Sequence, residues 1–478
     1  MMDVRKKQLQ HLYNRAGFGW SPTDSKSTDS VNHTVKKLFV QSEQISPMRL
    51  ITPDMLPKKP MGKLSASEKK ELQKAAREFT NKLNINWLNQ MTGTEQVLRE
   101  KLTFFWHGHF ACRSNNPFFL QELNNIQRFY ALGNFKTLLM AVSKSAAMLE
   151  FLNNQQNKKE HPNENFAREL MELFTVGRGN YSETDIKESA RAFTGWGFNH
   201  SGEFEFRPKQ HDFGAKQFMG QRGNFNGEDI INILLANKQT AIFICKKLYR
   251  FLVNDQVDEA RVQELAHSFY ESGYEIQPLV EKILRSDWFY EAANRGSKIK
   301  SPIELLVGIN KLFKVNYEDP LVMIKMQQLM GQVLFFPPNV SGWSGGKNWI
   351  DSSTLMFRMK LPSVLLNDGV VEEIPKDEPE HAEHLMESEM ETTHNAQAQS
   401  KVLKIQKQVH QLIKAHVNWD EFLSQFEAEH NGTGEEVAAF LLTTAPHPAI
   451  MQSITEIEKN SVKGWFLTLA SLPEYQVC

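Results

Sequence analysis

Carboxylates, guanidinium groups and amides crowd into one stretch of the chain, NENFARELMELFTVGRGNYSETDIKESARAFTGW, residues 163–196. Turning successive residues by about 100°, as a helix does, puts Glu164, Asn165, Arg168, Glu169 and Glu172 on one side. Phe166, Ala167, Leu170, Met171, Leu173 and Phe174 fill the other. The polar side admits two readings. Glu164, Arg168 and Glu172 stand at i, i+4, i+8, the spacing of an ion-pair ladder on a solvated face, worth roughly 0.2–0.5 kcal/mol per pair. Alternatively the side lines a cavity in which Arg168 binds an anion, Glu169 or Glu172 serves as base or ligand, and Asn165 contributes to binding.

Histidines supply the second set. In Trp106-His107-Gly108-His109, a continued helix groups His109 with Leu98, Leu102 and Phe105 and turns His107 nearly opposite. Two histidines at i, i+2 on a helix cannot share one ion unless Gly108 ends the helix. A buried, hydrogen-bonded histidine beside Trp106 is the plainer reading. His211-Asp212 with Lys216 forms a third group, placed in a loop or hairpin. A histidine beside an acid suits a metal ligand or an oriented general base, while Asp212 equally starts a turn. Joining His107 or His109, Glu169 or Glu172, and His211 or Asp212 gives a His/carboxylate set of the kind that holds Zn²⁺, Mn²⁺ or Fe²⁺. A divalent transition metal is the cofactor this set implies. Trp106, Trp196 and Trp343 suit stacking on a bound molecule as well as core packing.

One motif is declined. Gly342-Trp343-Ser344-Gly345-Gly346 matches the G-x-S-x-G pattern of a hydrolase elbow. That elbow needs a strand before it and a helix after it within an α/β sheet. Pro337 and Pro338 precede the match and a Lys-Asn-Trp loop follows, so Ser344 is a coincidence. The sequence has no Walker phosphate loop, dinucleotide fingerprint, H-E-x-x-H or CxxC. Lys58-Lys59, Lys69-Lys70 and Lys246-Lys247 read as ordinary solvated faces.

The elements that position these residues are helical almost throughout. A period of 3.6 marks helices over about 65–89, 229–235, 240–253, 258–272, 276–289 and 302–313. Another is expected to start at Thr94, as its N-cap, and run towards His107. Ser182 and Asp185 form a capping box for the second helix of the central stretch, with Gly195 as its stop. Glu203–Arg207 alternates like a strand, and Lys216–Gly220 is its expected partner in one small β hairpin. The expected fold is mostly α, a large multi-helix main domain over residues 1–366. An acidic flexible insert or linker over 367–399 and a C-terminal helical segment over 400–478, packing on the main domain, complete it.

Composition narrows the function classes. The 55 basic and 56 acidic residues give a net charge of −1, so nothing global favours nucleic acid or an anionic membrane as partner. No apolar run approaches the ~18 residues that span a bilayer, and no signal peptide is legible. Cys112, Cys245 and Cys478 lack metal or redox spacing and read as reduced thiols. The expected location is the cytoplasm.

Several segments resemble a known family. HLYNRAGFG (11–19), REKLTFFWHGHF (99–110), the stretch 163–196, HDFGAK (211–216) and FICKKLYRFLVND (243–255) are similar to the bacterial family called domain of unknown function 1800. KSPIELLVG (300–308), FPPNVSGWSGGKNWI (336–350) and LASLPEYQ (469–476) extend the resemblance along the chain. It implies a predominantly helical protein, often encoded beside domain of unknown function 1501, which resembles alkaline phosphatases and sulfatases. Two functional expectations follow. One is a non-catalytic binding or accessory protein acting with that phosphatase/sulfatase-like companion. The other is a metal-assisted hydrolase using Glu169, Glu172, His109, His211 and Asp212.

Overall fold

The computed structural model describes residues 4–52, 55, 65–350, 352–366, 414–428, 430, 432–458 and 461–478. The acidic stretch 367–399 and the first residues of the C-terminal segment, 400–413, lie outside them. Helices dominate, joined by three two-stranded antiparallel sheets.

The helix Val97–His109 is the axle of the molecule. Every one of its residues except Gly108 is buried, so each polar side chain on it needs a partner inside the protein. Arg99 donates from Nε to Ser42 O (2.6 Å) and from Nη1 to Arg128 O (2.7 Å). Glu100 takes the Arg128 guanidinium in a fork, Nε to Oε1 at 2.6 Å and Nη2 to Oε2 at 3.0 Å. Trp87 and Gln90 donate to the same carboxylate. Lys101 reaches Glu304 Oε1 at 2.5 Å, and Lys298 reaches that oxygen at 2.7 Å. The Phe18 and Phe251 rings lie 4.9 and 5.3 Å from the Lys101 ammonium. Three consecutive charged residues thus tie four neighbouring segments to one helix. The helix begins at Val97, later than expected. Thr94 closes the preceding helix, Ala66–Gly93, and its hydroxyl accepts from Gln96 N at 3.1 Å.

Glu304 serves a second purpose. It lies in the first turn of the helix Pro302–Phe313, where its Oε2 accepts from Ser301 N (2.9 Å) and Ser301 Oγ accepts from Glu304 N (3.3 Å), a reciprocal cap. Beside it a recess of about 30 Å³, lined by Asn14, Trp20, Lys300, Phe440 and Tyr475 among others, has room for a water or two. The C-terminal residues close this region. Lys300 N donates to Gln476 O (2.9 Å), Ile299 bridges Val477, and Trp20 stacks on Phe440 while donating to its carbonyl. One contiguous apolar cluster runs from Leu12 to Tyr475.

Both segments expected to pair into one hairpin are strands, but each has a different partner. β1 (Trp196–Phe198) pairs with β2 (Phe204–Phe206), and β3 (Lys216–Phe218) pairs with β4 (Gln221–Gly223). The third sheet joins β5 (Asn316–Tyr317) to β6 (Ala415–His416). Ser344 is exposed in a loop with no strand before it, and a short 3₁₀ segment, Gly346–Trp349, follows directly in place of the helix an elbow needs. The three cysteines are buried and free.

Candidate functional site

The first helix of the central stretch changes register part-way. Asn165–Glu169 is α-helical, and Leu170–Phe174 continues as a π-helix. Such a widened turn recurs at functional sites. Its apolar side is as the periodicity indicates, with Phe166, Ala167, Leu170, Met171 and Phe174 all buried. The wider turn shifts the carbonyls away from their usual donors, and other groups satisfy them. Thr175 Oγ1 donates to Leu170 O at 2.7 Å, Gly177 N to Met171 O at 2.9 Å, and Lys247 Nζ to Leu173 O at 2.9 Å.

Lys247 also meets His109, its Nζ lying 3.1 Å from Nδ1. Lysine only donates, so His109 accepts at Nδ1 and carries its proton on Nε2. That nitrogen is buried with no partner in hydrogen-bonding geometry. Burial, then the Lys247 charge, hold the His109 pKa well below the usual range, with the Phe174 backbone pulling weakly the other way. Burial, then Arg250, lower Lys247 to about 8. The pair Lys246-Lys247 is therefore not a solvated face. Lys246 pairs with Glu259 at the surface, while Lys247 turns in over the Phe243 ring (4.7 Å). Helix phase carries the signal, because 247 lies between Ile244 and Phe251 on the apolar face and 246 does not.

On the polar side most charges are already engaged. Arg168 lies between Glu164 (3.2 Å) and Glu183 (3.0 Å), and the Glu183 bond holds its guanidinium firmly protonated. Glu172 accepts from Tyr181 Oη at 2.7 Å and from Arg178, and the Tyr181 bond does most to hold its carboxyl below the usual range. Glu169 differs. Among the described charged residues of this face, Glu164 to Glu183, it alone has neither a hydrogen bond nor an ion pair. It is half-buried, and desolvation, then the Glu172 charge, push its pKa up. Asn165 is exposed, its backbone N–H taken by Asn163 Oδ1.

The loop after β2 is tied down from within. His211 Nδ1 donates to Thr194 O at 2.8 Å, which leaves Nε2 as the ring's lone pair. Burial lowers its pKa. Asp212 accepts from Arg191 Nε at 2.7 Å and from Gly214 N at 2.7 Å. Burial pushes its carboxyl up, but these two donors outweigh it and hold the pKa below the usual range. The Lys216 ammonium caps Asp212 O (2.6 Å) and Gly214 O (3.0 Å). Trp106 is fully buried between Phe110 and Phe135 and donates to Ala131 O. Trp196 packs on Phe193 and Phe204 under the Lys144 ammonium. Trp343 is half-exposed, 5.5 Å from the His107 ring.

The structure thus joins His109 to the helix carrying Glu169 and Glu172, through Lys247, and places His211 and Asp212 in a separate loop. Among the described residues, no three His, Cys, Asp or Glu side chains converge to hold an ion. No helix among them is long and apolar enough to cross a membrane. Comparison with curated proteins and with solved structures gives no match. The model of a protein family of unknown function matches residues 11–477. With nearly its whole length matched, the chain belongs to the DUF1800 family of proteins of unknown function.

Proposed function

We propose that the protein is a non-catalytic helical binding or accessory protein whose recognition face is the polar side of residues 164–183. Its partner is a phosphatase/sulfatase-like companion, as the family resemblance implies. The observation that carries this reading is Glu169. A carboxylate on an ordinary solvated helix is either hydrated or paired, whereas Glu169 is half out of water and unpaired while its neighbours are all engaged. A lysine or arginine from a partner would neutralise it, and burial of that pair on docking strengthens the contact. The π-helix that follows it is braced by Lys247.

Glu169 also supports a second reading. A half-buried carboxyl with a raised pKa suits proton transfer, as in a metal-assisted hydrolase with His211 Nε2 as a ligand. One preparation separates the two. Purified protein is exposed to Zn²⁺, Mn²⁺ or Fe²⁺, dialysed and analysed for metal, and separately titrated with the companion. A companion complex weakened by Glu169→Lys, without retained metal, supports the binding reading. Stoichiometric metal that is lost in His211→Asn selects the hydrolase.

A further inference from the structure

Two arginines and a histidine away from the central stretch have no counter-charge among the described residues. The helix Val4–Ala16 carries His11 and Arg15 one turn apart on the same face. Both are buried, at 0% and 1% exposure. Arg15 Nη2 donates to Asn294 O and to Ser297 Oγ, each at 2.9 Å. Its Nε and Nη1 are buried without a partner, and among the described residues no carboxylate forms an ion pair with it. The His11 ring packs on Phe289, with centroids 4.7 Å apart, and neither nitrogen has a partner in hydrogen-bonding geometry. Arg295 follows Asn294 directly. Its Nε is likewise buried and unpartnered, while the residue as a whole is half-exposed.

A guanidinium cannot shed its proton inside a protein. Buried charges are accordingly paired, because an isolated one is strongly disfavoured. Water would satisfy the free N–H groups but would not supply the missing negative charge. Burial, then the Arg15 charge, hold the His11 pKa well below its usual range. Arg295 adds to this, and the Phe289 backbone offsets part of it. Arg15 reaches the carbonyl of Asn294, the residue before Arg295, and His11 lies one turn from Arg15, so the three side chains belong to one region. We propose that His11, Arg15 and Arg295 form a binding site for a small oxyanion. Arg15 Nε and Nη1 and Arg295 Nε donate to its oxygens, His11 adds one ring N–H, and the half-exposed Arg295 side forms the entrance. Several donors from separate directions favour an anion with two or more oxygens over a halide.

Thermal unfolding and titration calorimetry of the full chain test this, using phosphate, sulfate, acetate and chloride at matched ionic strength. Phosphate, sulfate or acetate should raise the Tm above the chloride control in a saturable way, and the strongest of the three identifies the anion class. Arg295→Gln, at a half-exposed position, should fold and bind that anion at least tenfold more weakly. Arg207→Gln, away from the cluster, should bind it as the wild type does. Arg15→Lys, which keeps the charge and loses most of the donors, provides a second variant if Arg295→Gln does not fold. Equal Tm in all four salts, preference for chloride, or undiminished binding in the folded variant would overturn the proposal.

Discussion

Glu169 and Lys247 are groups that the fold holds away from their ordinary state, and both yield measurable consequences. Glu169 has its folded pKa raised, so its stability contribution is present in acid and is lost as pH rises through that pKa. Glu169→Gln removes the loss. Urea denaturation should find the variant within about 0.5 kcal/mol of wild type at pH 4 and equal or more stable at pH 7. Glu172→Gln removes the charge and one of the two oxygens that accept from Tyr181 and Arg178 and should cost about 1–2 kcal/mol at pH 7. Lys247 has its pKa lowered to about 8. The unfolded chain therefore holds the extra proton between about pH 8 and the ordinary lysine value of about 10.4, and stability gains an upward slope across that window. Lys247→Met should flatten the slope, and an unchanged slope would refute the assignment. At this scale the sequence identified Glu169, Glu172 and His109 as residues worth attention. It could not show which were already paired, because Arg178, Tyr181 and Glu183 meet the helix only after the chain turns back. Charge alone makes Lys246-Lys247 look solvated, whereas helix phase turns Lys247 inward.

The π-helix Leu170–Phe174 is the element on which the candidate face rests. Thr175 Oγ1 caps the Leu170 carbonyl that the wider turn exposes. Thr175→Val, close in shape, should cost about 1 kcal/mol and speed amide exchange in residues 170–177, with distant helices unaffected. Hydrophobic periodicity cannot distinguish a π turn from an α turn over five residues, so this change of register was invisible. Local signals did better. Ser182 and Asp185 form the capping box that their spacing indicates, and Gly195 has φ +78 just beyond the helix it follows. Strand segments near 204 and 216 were legible by alternation. Their partners were not, because each pairs across its own tight turn, one at Asn199–Gly202 and the other at Met219–Gly220.

Across the whole molecule, the helix Val97–His109 connects parts that are far apart in sequence. Its Lys101 and the distant Lys298 share Glu304 with no water between them. Glu304→Gln leaves two buried ammonium groups without their counter-charge and should cost about 3–5 kcal/mol, read by urea denaturation. The helical class was legible from periodicity and composition. That Arg99, Glu100 and Lys101 are core residues was not, because charged side chains are rarely buried unless paired and the partners lie elsewhere in the chain. We propose the face around Glu169 as a recognition surface for another protein. Titration calorimetry of the phosphatase/sulfatase-like companion into wild type and into folded Glu169→Lys tests it most directly. The expected result is a saturable complex that Glu169→Lys weakens at least tenfold. Equal affinity for both proteins, or no complex with the wild type, would contradict it.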